Sequence, residues 1–267
     1  MNITITEINQ NQVVGYQLTP EEKISIGTVI IFGGSEGSCR LDLAKKICEN
    51  GYEVFALYYF GRLALAPTLD NVEISFFSQV LEFLGPQHHA PITLLGLSRG
   101  AELCLILSAY YLEIKQLILV SPSNYFFPGQ ALQAAWACQG QALPHVPVPR
   151  SFIFKNYFKR KRPSIAIFEE LLSQTHELER YQIPVENFSG EMLLFSGGLD
   201  QTWPASTMAQ KIASRAQNAQ HFHYPRAGHS FIYNFYDGPD WEADLFADHQ
   251  SWQIIQKSLA QWHKKNL

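Results

Sequence analysis

Residues 92–107 read ITLLGLSRGAELCLIL, and how these positions are interpreted decides the fold. ITLLGL is a continuous apolar run, as in a strand buried on both faces. AELCLILSAYYL follows at once, with Leu103, Ile106, Leu107 and Tyr110 spaced along one helical face. Between them Gly96-Leu97-Ser98-Arg99-Gly100 fits G-x-S-x-G, a strained strand-to-helix turn that presents a nucleophilic serine. Glycines flank the serine because the backbones there approach closely. A second match, Gly33-Gly34-Ser35-Glu36-Gly37, follows the apolar run TVIIF. Such a turn needs an upstream strand whose following loop offers a further N–H to a developing oxyanion. Ser98 has that loop in GGSEGS, whereas only two short, edge-like strands, ITITEI and VVGYQL, precede Ser35. Ser98 is therefore read as the nucleophile. The N–H groups of Arg99 and Ser35 are read as oxyanion donors, with Glu36 in place of Ser35 if the loop register differs.

Outward from this turn, strands and helices alternate. TVIIFG leads to the helical LDLAKKICENGY, EVFALYY leads to a helix expected over 71–84, and IKQLILV follows the elbow helix. Further along come the strand MLLFSGG, a helix from about 204 to 215, the strand AQHFHY and a closing helix SWQIIQKSLAQW. This order predicts an α/β fold over residues 1–267, a mostly parallel central sheet flanked by helices. About 70 residues between LILV and MLLF break the alternation and carry a helix-like FEELLSQTHEL. A loop that long in a compact domain is usually functional, so residues 121–190 are expected to form a cap. A purely structural insertion is the alternative.

Composition narrows the function classes. With 46% hydrophobic and 16% charged residues the chain can bury a core, and a net charge of −4 gives no overall reason to bind nucleic acid. Cys39, Cys48, Cys104 and Cys138 form neither a C-x-x-C nor a disulfide framework. The start MNITITEINQNQ lacks the pattern of a signal peptide, and no apolar run reaches the ~20 residues of a membrane span. A soluble, cytoplasmic protein without a cofactor is expected. No metal set emerges, because His221-x-His223 supplies two ligands at most.

In a serine elbow of this kind the acid and then the base follow the nucleophile in chain order. Asp200 lies just past MLLFSGG, and His229 lies past AQHFHYP in PRAGHSF, where Gly228 frees the backbone. His88 and His89 sit in a loop before the elbow, and His221 and His223 share one face of a strand. His145, His176, His249 and His263 fall in the insertion, its helix or the C-terminal tail. Asp237, Asp240 and Asp244 come after His229, the wrong order for the acid.

GLSRGAELCL, IPVENFSGEMLLFSGGLDQTWPAS and YPRAGHSF together resemble the C-terminal catalytic domain of acyl-CoA thioester hydrolases and bile-acid-CoA:amino-acid N-acyltransferases. The resemblance implies an α/β-hydrolase fold, acyl-CoA thioester substrates and a triad of Ser98, Asp200 and His229. Two departures matter. The amino-terminal β-sandwich of eukaryotic members is not expected, since about 26 residues precede TVIIF, and Ser98 stands where the transferases carry cysteine. That serine favours hydrolysis of acyl thioesters by a serine hydrolase. Small-ester hydrolysis, transfer of the acyl group to an amine or amino acid, and a silent binding protein are the alternatives. The basic run KNYFKRKRPS, with Arg160 and Lys161, either meets CoA phosphates or forms a solvated face. Arg99 either contacts substrate or pairs with Glu102. The aromatic residues of the insertion, among them Tyr125, Phe127, Trp136, Phe152 and Phe154, either receive an apolar acyl group or pack the cap.

Overall fold

The computed structural model describes residues 1–85, 91–157, 164–232 and 236–264, with backbone alone at 155–157. The chain opens with β1 (Ile3–Gln10) and β2 (Val13–Pro20), then β3 (Thr28–Phe32), α1 (Leu41–Cys48) and β4 (Val54–Leu57). Next come β5 (Val72–Glu73), α2 (Phe76–Leu84), β6 (Ile92–Leu97), α3 (Arg99–Tyr110) and β7 (Ile114–Val120). The insertion holds β8 (Trp136–Cys138), β9 (Gln141–Ala142), α4 (Arg150–Tyr157) and α5 (Ser164–Gln174). β10 (Glu191–Gly197), α6 (Ala205–Arg215), β11 (Ala219–Tyr224) and α7 (Trp241–Trp262) complete the order.

Eight strands form one sheet in the order β1-β2-β4-β3-β6-β7-β10-β11. From β4 to β11 every neighbouring pair is parallel, and β2 joins β4 antiparallel. Because β3, β6, β7 and β10 lie inside the sheet, both their faces are covered, which is why their sequences lack polar alternation. In β3, Val29 and Ile31 enter the core with Leu43, Ile47 and Ile255 of α1 and α7. Ile30 and Phe32 enter the opposite core with residues of α2, α3 and α6. A side chain fully buried in this way contributes roughly 1.5–3 kcal/mol, so the sheet is anchored on both sides.

Three sequence expectations are corrected. The helix expected over 71–84 begins only at Phe76, because Val72 and Glu73 pair with Trp136 and Ala137 in a small second sheet. The closing helix starts at Trp241, ten residues before SWQIIQ, with Asp240 capping it by accepting from the Ala243 N–H. Of the two opening strands, only β1 is an edge; β2 sits between β1 and β4. The segment between Val120 and Glu191 departs from the alternation, as its composition predicts. Tyr125, Phe127, Val146, Phe152 and Leu171 form a third apolar cluster with Trp203 and Met208, which lie outside the insertion. The insertion thereby packs against the loop and helix that follow β10.

Candidate active site

Ser98 joins β6 to α3 at φ 54° and ψ −116°, a conformation that non-glycine residues rarely adopt. Strain of this kind costs on the order of 1–3 kcal/mol and persists only where the surroundings impose it. Here the Ser98 N–H donates to Val120 O at 2.9 Å and its carbonyl accepts from the Glu102 N–H at 3.1 Å. The flanking glycines have a steric cause. A Cβ on Gly96 would stand 2.3 Å from Gly100 O, and one on Gly100 would stand 2.2 Å from Gly33 O. Neither position accepts a side chain without backbone movement.

Three side chains separated by up to 131 residues then meet. His229 Nε2 lies 2.9 Å from Ser98 Oγ, and His229 Nδ1 lies 2.7 Å from Asp200 Oδ2. Asp200 and His229 are buried, while Ser98 is half-buried. The other oxygen of Asp200 accepts from the N–H groups of Thr202 (2.7 Å) and Trp203 (3.1 Å), so the carboxylate is held from both ends. The His229 loop is braced along its backbone. Ser121 Oγ donates to His229 O at 2.6 Å, Asp244 accepts from the Gly228 and Gly238 N–H groups at 2.7 Å each, and Asp237 accepts from the Ser230 N–H at 2.7 Å. Two of the three carboxylates set aside by chain order, Asp237 and Asp244, thus hold the loop rather than the imidazole, and Asp240 caps α7.

A cavity of about 360 Å³ opens beside Ser98. Ser35 and Arg99 line it with Ser98, and most of its remaining wall is apolar, including Leu69, Phe127, Phe152, Phe168, Leu171 and Trp203. Phe127 stacks on Trp203 at 5.5 Å, and Trp203 meets the His229 ring edge-on at 5.9 Å. Of the aromatic residues singled out in the insertion, Phe127 and Phe152 reach the cavity, Tyr125 and Trp136 are buried in cores, and Phe154 is exposed. The Glu36 side chain is engaged within the loop. Its Oε1 accepts from the Gly34 N–H at 3.0 Å and from Ser38 Oγ at 2.5 Å, closing the loop on itself.

Arg99 pairs with Glu102. Its Nη1 lies 2.7 Å from Glu102 Oε2, and its Nη2 donates to the carbonyls of Phe127 and Pro128 at 3.2 and 3.3 Å. Glu102 Oε1 also accepts from Trp136 Nε1 at 2.7 Å and the Phe127 N–H at 3.1 Å. Burial pushes the Glu102 carboxyl pKa up, opposed by the Arg99 charge. This buried pair ties the elbow helix to Phe127, Pro128 and Trp136 of the insertion. His221 and His223 point to Ser196 on the neighbouring strand, at 2.8 and 3.4 Å. Arg160, Lys161, His88 and His89 lie outside the described residues. Among the described residues no group of three or more His, Cys, Asp or Glu is placed to hold a metal, and no helix is long and apolar enough to cross a membrane.

The sequence model described as "BAAT / Acyl-CoA thioester hydrolase C terminal" matches residues 72–258. Human acyl-coenzyme A thioesterase 6 is 26% identical over 227 residues, covering 79% of this chain and 50% of that protein. The bile acid-CoA:amino acid N-acyltransferase of Mus musculus is 25% identical, covering 91% of this chain and 61% of that protein. The chain thus spans about half the length of the thioesterases it matches. Among solved structures, an α/β-hydrolase from a Penicillium species superposes with a TM-score of 0.62 at 14% identity, covering 98% of this chain and 99% of that one. A Pyrococcus furiosus esterase does so with a TM-score of 0.60 at 16% identity, covering 98% and 91%. The fold is therefore that of the α/β-hydrolases.

Proposed function

The chain belongs to the BAAT / acyl-CoA thioester hydrolase C-terminal family, and from that premise we propose that it is a serine hydrolase cleaving acyl thioesters through an acyl-enzyme on Ser98. The observation that carries this reading is the hydrogen-bonded series Ser98–His229–Asp200 opening on an apolar cavity. His229 Nε2 takes the Ser98 proton as Oγ attacks the thioester carbonyl carbon. Asp200 fixes the tautomer and stabilises the imidazolium that forms. The tetrahedral intermediate collapses, the C–S bond breaks, and His229 returns the proton to the leaving sulfur. Water, deprotonated by His229, then attacks the acyl-enzyme; the C–O bond to Ser98 breaks, His229 returns the proton to Ser98 Oγ, and a carboxylic acid leaves.

Sulfur lends little resonance to the carbonyl and leaves readily, so most of the catalytic demand falls on the oxyanion. Arg99 begins α3, and the first N–H groups of a helix lack intrahelical acceptors. Its N–H and that of Ser35 are the proposed donors, each worth roughly 3 kcal/mol in kcat. The apolar wall suits an acyl chain, and residues 121–190 act as the cap that supplies much of it. On sequence grounds Arg160 and Lys161 meet the CoA phosphates.

Free-thiol release from a series of acyl-CoAs, compared with p-nitrophenyl esters, tests the reading. Thioester turnover that Ser98→Ala abolishes supports it, while ester turnover alone assigns the protein to small-ester hydrolysis. Arg160→Ala/Lys161→Ala should raise KM for acyl-CoA and not for the short ester. The similarity to an N-acyltransferase over 91% of the chain favours amide formation as the second reading. Amide product on addition of glycine or taurine would establish it.

A further inference from the structure

Behind the proposed oxyanion loop stands a tyrosine that the reaction scheme above does not use. Tyr59 follows β4 and is 2% exposed, with its ring edge-on to Phe32 and Phe60 and tilted against Trp136. Its hydroxyl lies 2.9 Å from Gly34 O and 3.2 Å from Gly33 O. Both carbonyls belong to the glycine-rich loop, which runs so close to the elbow that a Cβ on Gly34 would be 3.5 Å from Ser98 Cβ.

A trans peptide is planar, and its C=O and N–H point in opposite directions. The Gly33–Gly34 peptide has its carbonyl toward Tyr59 and its N–H on Glu36 Oε1. The Gly34–Ser35 peptide has its carbonyl on the Tyr59 hydroxyl, so the Ser35 N–H is directed away from Tyr59 and the core. Ser35 lines the cavity with Ser98, and Tyr59 does not. We infer that Tyr59 is a positioning residue: by holding the Gly34 carbonyl, it aims the Ser35 N–H at the oxyanion that forms when Ser98 attacks. This inference rests on the proposed acyl transfer at Ser98. The Tyr59 hydroxyl is not itself the oxyanion donor, because it is buried and donates to the loop carbonyls. The Gly37 N–H also donates to Gly34 O, at 3.2 Å, but from within the loop itself; the Tyr59 hydroxyl, at 2.9 Å, is the hold that ties this peptide to the core. Gly34 has no side chain to restrict its backbone, so without the hydroxyl the loop can tilt as a unit and the donor loses its aim.

Tyr59→Phe keeps the ring and removes the hydroxyl. The test measures kcat and KM on an acyl-CoA, and the Ki of a trifluoromethyl ketone analogue of the same acyl thioester. The ketone's serine adduct carries an alkoxide where the oxyanion forms, so its affinity reads the donors directly. Expected are a kcat lowered on the order of 10- to 100-fold, a Ki raised by the same factor, and a nearly unchanged KM. Phe76→Leu loosens the same aromatic cluster, with Phe76 edge-on to Phe32 at 6.0 Å, and leaves the hydroxyl in place. It should lower thermal stability without moving Ki. An unchanged kcat and Ki in Tyr59→Phe, or an equal rise of Ki in Phe76→Leu, would overturn the inference while wild-type turnover kept the serine-hydrolase reading. No wild-type turnover would remove both.

Discussion

Replacing Gly100 by Ala adds one methyl group where backbone stands in its way. The new Cβ would lie 2.2 Å from Gly33 O and 2.5 Å from Phe32 O, and ordinary contact begins at 3.4 Å. The elbow helix and the end of β3 must therefore separate by about 1.2 Å, the difference between 3.4 and 2.2 Å. Helix propensity alone gives the opposite sign: Ala inside a helix is better than Gly by roughly 1 kcal/mol. Overpacking against fixed backbone costs roughly 1–3 kcal/mol, so the net change is a loss despite the better helix former. The catalytic effect is larger. Gly33 leads directly into the loop carrying Ser35, and a donor displaced by about 1 Å loses on the order of 100-fold in kcat. Urea unfolding and acyl-CoA turnover, measured side by side, check both effects. A Gly100→Ala protein at least as stable as the wild type, with kcat within about twofold, would refute the close approach of loop and elbow.

Glu102→Gln leaves the Arg99 charge buried without its partner and should destabilise by about 3–5 kcal/mol in urea unfolding. Adding Arg99→Met should recover much of that loss; a double variant as unstable as the sum of the single ones would show that the two residues are not coupled. Asp244→Ala removes the acceptor of the buried Gly228 N–H and the half-buried Gly238 N–H in the loop that carries His229, so it should lower kcat more than it raises KM. Burial lowers the His263 pKa from 6.5 to about 4. Between those values the unfolded chain binds a proton that the folded one does not. Stability contributed by His263 is therefore complete above pH 6.5 and declines toward pH 4, by up to about 3 kcal/mol. The urea midpoint of His263→Asn should fall less steeply across this window than that of the wild type.

How legible each part was follows from what signals it. β3, β6 and β10 stand out in the sequence because strands covered on both faces must be apolar throughout. Ser98, Asp200 and His229, whose side chains meet in the structure, stand out in the sequence because each follows a strand and lies near turn-forming residues, and chain order ranks them. α7 was half hidden because its first turns invert the usual pattern: Trp241 and Phe246 are exposed, whereas Asp244 and Asp248 are buried. Those acids take partners from elsewhere: Asp244 accepts from glycine N–H groups, and one oxygen of Asp248 accepts from the Tyr236 hydroxyl. β5 is two residues long and exists only through pairing with a segment more than sixty positions away. Tyr59, Ser121 and Asp244 bond backbone atoms, which carry no residue-specific signal, so no motif points to them. His263 reads in the sequence as part of a C-terminal tail, yet it is buried between Thr93 and the Ile26 carbonyl. A lone histidine gives no periodicity to read.

The two serine motifs make opposite demands on one measurement. An acyl-CoA mixed with the protein, quenched with acid within a single turnover and digested, locates the acyl group by peptide mass. The acyl adduct is predicted on the peptide containing Ser98, absent from Ser98→Ala and from the peptide containing Ser35. An adduct on Ser35, or turnover that persists in Ser98→Ala, would contradict the account.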